Sequence, residues 1–197
     1  MAYILLAALI VALDQHFKLW TVIHIPLHGT KALLPGLLGL TYVHNPGASW
    51  GILAGKTGFL LVVTGLVCAG VFAALLLHKP ASRLGRLSLA MVLGGAVGNA
   101  LDRLLLGYVV DMFQTQFMEF PIFNVADIFI VVGGCLFCLY ILLDERRERL
   151  EKKRAAEQRM QQRLERAWQE ARDERENLDE LIREFKEQDH AGSDSGD

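Results

Sequence analysis

Four apolar runs, each about as long as a helix must be to cross a bilayer, constrain this chain more than any other feature. They fall at residues 3–20, 58–77, 87–106 and 123–143. A soluble core has no need of stretches so long and so sparsely charged, and four such helices make one small membrane bundle. Charge follows the same division. Residues 1–143 hold only seven Lys or Arg and five Asp or Glu, whereas residues 144–197 hold 13 and 17. The net charge of −2 is thus a sum over two unlike regions and identifies no partner; nucleic acid is not expected. The predicted organisation is a membrane domain over 1–143, a charged helix over 144–190 and a disordered tail over 191–197. The first run has no Lys or Arg before it and no small-x-small cleavage site after it, so it reads as an uncleaved span.

The stretch "HKPASRLGRLS" between the second and third runs carries Lys79, Arg83 and Arg86 and no acid. Such a loop is cytoplasmic by the positive-inside rule. Alternation then puts both termini in the cytoplasm and residues 21–57 and 107–122 outside. In that orientation the ionisable residues of the membrane region gather. Asp14 and Lys18, four apart on one helix face, lie near the outer end of the first span. Asn99, Asp102 and Arg103 lie near the outer end of the third, Asp111 in the outer loop beyond it, and Asn124 and Asp127 in the outer first turns of the fourth. All four Asp of the membrane region therefore fall at one bilayer edge.

A carboxylate at membrane depth costs roughly 3 kcal/mol or more, so each asks for a reason. A snorkelling ion pair would account for Asp14 and Lys18, helix-end charges for Asp102 and Arg103, and an interhelical hydrogen bond for Asn99. Asp127 is the hardest to dismiss, because it lies deep and has no basic neighbour in sequence. Gly94 and Gly98, four apart, permit close helix approach one turn before Asn99. The outer segment includes "LTYVHNPGASWGIL" (40–53), expected to form a short β-structure at the interface, where Trp20, Tyr42 and Trp50 suit the headgroup depth.

The six His form no ligand pair on a helix, and Cys135-x-x-Cys138 lacks further ligands at metal spacing. Cys68, Cys135 and Cys138 read as small packing residues, and neither metal nor cofactor is expected. What remains is carboxylates in pairs. Two held close together share one proton: one accepts a proton from water while the other donates to a substrate carbonyl. Spacing alone leaves both Asp102 and Asp111 as partners for Asp127.

Four blocks in order are more specific: "DQHFK" (14–18), "HNPGASWGIL" (44–53), "GGAVGNALDR" (94–103) with "GYVVDMF" (107–113), and "FPIFNVAD" (120–127). Over residues 3–143 the chain resembles the lipoprotein signal peptidase (signal peptidase II) family of bacterial membrane aspartic proteases. Ser49 and Trp50 stand where Ala and Phe are commoner in that family. The resemblance implies a catalytic dyad of Asp111 and Asp127, with Asp102 supporting Arg103 and the local network. It implies that Asn45, Asn99, Arg103 and Asn124 line the site, that Asp14 and Lys18 support it, and that no cofactor is needed. The implied substrate is a diacylglyceryl-modified prolipoprotein cut on the N-terminal side of its lipidated Cys, at the outer face of the bacterial inner membrane, with membrane lipid as the surroundings.

The expected fold is thus an all-α membrane protein: a four-transmembrane-helix bundle with a small extracytoplasmic β-like segment and a long C-terminal cytoplasmic helix. That helix is dense in Glu, Arg, Lys, Gln and Ala, with apolar residues at Met160, Leu164, Ala167, Ala171, Leu178, Leu181 and Phe185. It reads either as a solvated charged helix or as a weak coiled coil that binds a protein partner or a second copy. Two other readings compete with a protease. A proton-coupled carrier would also hold membrane Asp, but four spans without a repeat are few for one. A membrane scaffold would make the tail the functional part.

Overall fold

The computed structural model describes residues 1–47 and 52–193, and of residues 171, 179–181 and 184–193 the backbone alone. Its elements run α1 (Ala2–His24), β1 (Thr30–Leu34), β2 (Leu38–Asn45), α2 (Thr57–Leu76), α3 (Arg83–Leu105), β3 (Val109–Thr115) and α4 (Val125–Ser193). The four helices each hold a stretch long and apolar enough to cross a membrane. The fold is mostly helical, and the all-α expectation needs one correction. The β-like segment is a full three-stranded antiparallel sheet in the order β1-β2-β3, and its third strand comes from 107–122. Asp111 therefore stands on a strand, paired with β2, and not in a loop; the β-branched and aromatic residues of "VVDMFQT" are compatible with that pleated surface.

The units Met1–Leu143 and Asp144–Asp197 are described separately. In the first, α3 is the central element. Its glycines set the approach of its neighbours: a Cβ at Gly94 would meet Ile10 and the Ala7 carbonyl of α1, one at Gly98 would meet the Asp14 carboxylate, and one at Gly95 would meet the Ala126 backbone of α4. The buried stripe of α1 is Ala7, Ile10, Asp14, Lys18 and Thr21, a three-and-four spacing that puts two charges in line with the apolar contacts. The remaining faces carry exposed Leu, Val and Phe, as a helix surrounded by lipid requires. Cys135 and Cys138 belong to that outer surface, which corrects their reading as packing residues: their positions on α4 point away from α3.

Two glycines steer the sheet into place. Leu34-Pro35-Gly36-Leu37 turns with Gly36 at φ 74° and Leu37 N donating to the Leu34 carbonyl at 3.0 Å. That is the Pro-Gly pattern a tight turn between β1 and β2 calls for. Gly107 ends α3 at φ 85°, its N–H reaching the Arg103 carbonyl at 3.2 Å. The chain then enters β3 with Val43 opposite Asp111 and Asn45 opposite Val109. Phe113 and Phe123 pair in an antiparallel bridge, which delivers the chain to α4 beside β3.

In the second unit, Arg149–Glu145, Lys152–Glu148 and Lys153–Glu157 pair one turn apart at 3.4, 3.6 and 3.9 Å. Such exposed pairs add a few tenths of a kcal/mol each, about 0.3–0.5. Leu150, Met160, Leu164, Trp168, Leu178 and Ile182 are exposed. The helix continues to Ser193, so residues 191–193, expected to be disordered, are helical; the Gly192 penalty of about 1 kcal/mol does not stop it. Residues 194–197 lie outside the described residues, as do Ser49 and Trp50.

Candidate active site

The helix start at Asn124-Val125-Ala126-Asp127 organises the site. Asn124 Oδ1 accepts from the Asp127 N–H at 2.9 Å, and Asp127 Oδ2 accepts from the Asn124 N–H at 3.1 Å. This is a reciprocal capping box, in which residue and cap each satisfy an orphan donor of the other. Asn124 is therefore the cap of α4 and not a residue of its face. The Asp127 Oδ1 accepts from Asn99 Nδ2 at 2.8 Å. The carboxylate so held sits at the positive end of the helix dipole.

Asp111 approaches from β3. Asn45 Nδ2 donates to its Oδ2 at 2.9 Å and Asn124 Nδ2 donates to its Oδ1 at 2.6 Å. The same Asn124 amide reaches Asn99 Oδ1 at 3.0 Å. One amide thus links Asp111 to the residue that holds Asp127. Burial, with the Asp127 charge adding to it, pushes the Asp111 carboxyl up to about 7; its two amide donors and Lys18 pull the other way.

Both aspartates line a cavity of about 600 Å³ together with Asn45, Asn99, Arg103 and Asn124. Leu60 and Thr64 of α2 and Ile128, Val131 and Val132 of α4 are among its other walls. The cavity is therefore polar where the carboxylates stand and apolar between the helices. Arg103, on the lining, donates from Nη2 to the Gly47 carbonyl at 2.9 Å.

Asp102, Asp14 and Lys18 sit behind the cavity wall. Lys18 Nζ meets Asp14 Oδ2 at 2.8 Å, Asp102 Oδ2 at 3.0 Å and Asn99 Oδ1 at 2.8 Å, so all three ammonium protons are used. Asp102 also accepts from Gln15 Nε2 at 2.8 Å and from the Val110 N–H at 3.0 Å. Paired with Lys18 and absent from the cavity lining, Asp102 does not face the space where a water or substrate would sit. All nine residues singled out in the sequence fall in this one network. Gln15 was not among them, although it lies within the "DQHFK" block; Gly95, whose neighbours Gly94 and Gly98 were noted, was also missed. Among the described residues no three His, Cys, Asp or Glu side chains converge as metal ligands would.

Comparison with known proteins agrees with this architecture. The family model for signal peptidase (SPase) II matches residues 6–143. The chain belongs to the signal peptidase II family. The lipoprotein signal peptidase of Enterococcus faecalis is 47% identical over 144 residues, covering 73% of this chain and 89% of that one. That of Latilactobacillus sakei is 44% identical over 145 residues, covering 73% and 95%. A bacterial membrane enzyme structure solved by the in meso method at 2.3 Å resolution superposes with a TM-score of 0.69 at 31% identity, covering 73% of this chain and 89% of that one. The signal peptidase II match ends where the charged helix begins, so that helix is additional to what the family model describes.

Proposed function

We propose that the chain is a membrane-embedded aspartic endopeptidase that removes the signal peptide from diacylglyceryl-modified prolipoproteins. Its family cleaves signal peptides from lipoprotein precursors. The observation that carries the catalytic type is the pair of aspartates, Asp111 and Asp127, converging from a strand and a helix start onto one apolar-walled cavity. Asp111, with a carboxyl raised to about 7, holds the proton. Asp127, accepting on both oxygens, takes one from a water between them. The water oxygen attacks the scissile carbonyl while Asp111 donates to the carbonyl oxygen, giving a neutral gem-diol. Collapse returns a proton to Asp111, and Asp127 delivers its proton to the leaving nitrogen. No electrophile beyond these carboxyls is required.

The apolar walls support a lipid-linked substrate, whose signal helix and acyl chains would stay in hydrocarbon while the bond before the modified Cys meets the dyad. The basic loop at 78–88 supports a cytoplasmic placement of both termini and a site near the outer face of the bacterial inner membrane. Purified protein is expected to cleave a diacylglyceryl-modified precursor and leave its unlipidated counterpart intact. Equal cleavage of both would remove the lipid from the recognition.

The pH dependence has a definite sign. A carboxyl raised to about 7 keeps its proton below that pH and loses it above, so kcat/KM should fall on an alkaline limb near 7. The Asn45 donor holds that value down. Asn45→Ala is therefore expected to move the limb to higher pH, by about one unit or less, since a neutral hydrogen bond is worth about 0.5–1.5 kcal/mol and one unit is about 1.36. A limb that stays in place or moves down contradicts the assignment of the proton to Asp111.

A further inference from the structure

The buried triplet of Asp14, Lys18 and Asp102 does more than neutralise itself. Asp14 Oδ1 accepts from the Ala126 N–H at 2.9 Å, and Ala126 is the residue before Asp127. Asp102 Oδ2 accepts from the Val110 N–H at 3.0 Å, and Val110 is the residue before Asp111. Each carboxylate thus grips the backbone immediately ahead of one active-site aspartate. The two grips share a single cation, because Lys18 Nζ bonds both carboxylates. Its third proton goes to Asn99 Oδ1. That contact orients the amide so that its NH2 faces the Asp127 carboxylate. Lys18 is 3% exposed and the Asp14 side chain 0%, so water cannot substitute for any of these partners.

We propose that Lys18 is a positioning residue for both aspartates. Through Asp14 it sets the first turn of α4, through Asp102 the register of β3, and through Asn99 the direction of the Asp127 donor. The separation of Asp111 and Asp127 is then fixed from one point on α1 that touches neither. This inference rests on the dyad proposed above.

The test uses the full chain in lipid and a diacylglyceryl-modified precursor, with kcat, KM, pH profile and melting temperature measured for each variant. Cleavage by the unaltered protein, lost in Asp127→Asn, first establishes the dyad; without it the dyad reading fails, whatever Lys18 does. Given that, Lys18→Met is expected to lower kcat at least 100-fold with KM within about threefold. The paired variant Asp14→Asn/Lys18→Met keeps an acceptor for the Ala126 N–H and the triplet's net charge. It should melt within a few degrees of the unaltered protein and recover part of kcat.

In Lys18→Met the alkaline limb should move to higher pH. Among the charges facing Asp111 (Asp127 from α4, Arg103 from α3 and Lys18 from α1), it removes a positive one. Arg103, Asp127, Asp14 and Asp102 are untouched, so the shift reports on Lys18. A paired variant that melts normally with kcat within twofold overturns the inference, as does an unmoved limb in Lys18→Met. So does a loss confined to KM. A paired variant that does not fold makes the triplet a folding element and overturns it as well.

Discussion

Asp111→Asn and Asp127→Asn are each expected to reduce cleavage of a lipidated precursor by about 10³-fold or more, while the protein still inserts and melts near its normal temperature. General acid–base participation alone contributes about 10²–10⁴-fold, and each residue of the proposed dyad handles a proton in both halves of the reaction. Asparagine is the informative replacement because it preserves shape and one acceptor. At Asp127 it can still receive the Asn124 N–H, so the capping box retains one of its arms. At Asp111 it can still receive the Asn124 amide. What both variants lose is the exchangeable proton. Asp102→Asn provides the contrast, since its carboxylate already binds Gln15, Lys18 and the Val110 N–H. It should retain measurable turnover, and parity between Asp102→Asn and Asp111→Asn would return Asp102 to contention.

Gly95→Val should be nearly as damaging without replacing any polar side chain. A Cβ there would run into the Ala126 carbonyl and come within 2.8 Å of Ile130 Cγ1. The carbonyl is backbone, so relief requires α4 to shift at its first turn, one residue from Asp127. Overpacking of this kind costs about 1–3 kcal/mol. The displacement also opens the contact between Asn99 and Asp127. The expected result is a melting temperature lower by several degrees and a loss of cleavage of about 100-fold or more, on the scale of an active-site misplacement. Gly70→Val on α2, where a Cβ meets nothing within 4 Å, should leave both unchanged. Equal behaviour of the two would remove the close approach of α3 and α4 as a requirement for activity.

The parts of this molecule that were readable from sequence are those decided by local composition. Each membrane span is long, apolar and self-contained in its hydrogen bonding, so its position follows from hydropathy alone. Its ends do not: α1 runs to His24 and α3 starts at Arg83, beyond the purely apolar cores. Asp14 and Lys18 were visible as a pair because i,i+4 spacing is a property of one helix, and their contact is 2.8 Å. Asp102, by contrast, could not be told from Asp111 by spacing. The difference lies in what surrounds each carboxylate, and for Asp102 that is a lysine 84 positions away in sequence. The strand status of Asp111 was hidden for a similar reason. A seven-residue strand is specified by its partner β2, across a loop and two helices, more than by its own letters. Asn124 and Asp127, three apart, suggested a shared helix face; the capping box uses the same spacing differently, with the helix beginning between them.

The grip of Asp14 on the Ala126 N–H also ties the first of the four spans to the fourth. Until the fourth span is in place, the first carries a buried-type charge cluster with no helix start to receive it. Until the first has docked, the fourth begins with an open donor. Without the fourth span the chain therefore has neither Asp127 nor the helix start that Asp14 holds. The proposed pair of aspartates is a product of three docked elements, α1, β3 and α4.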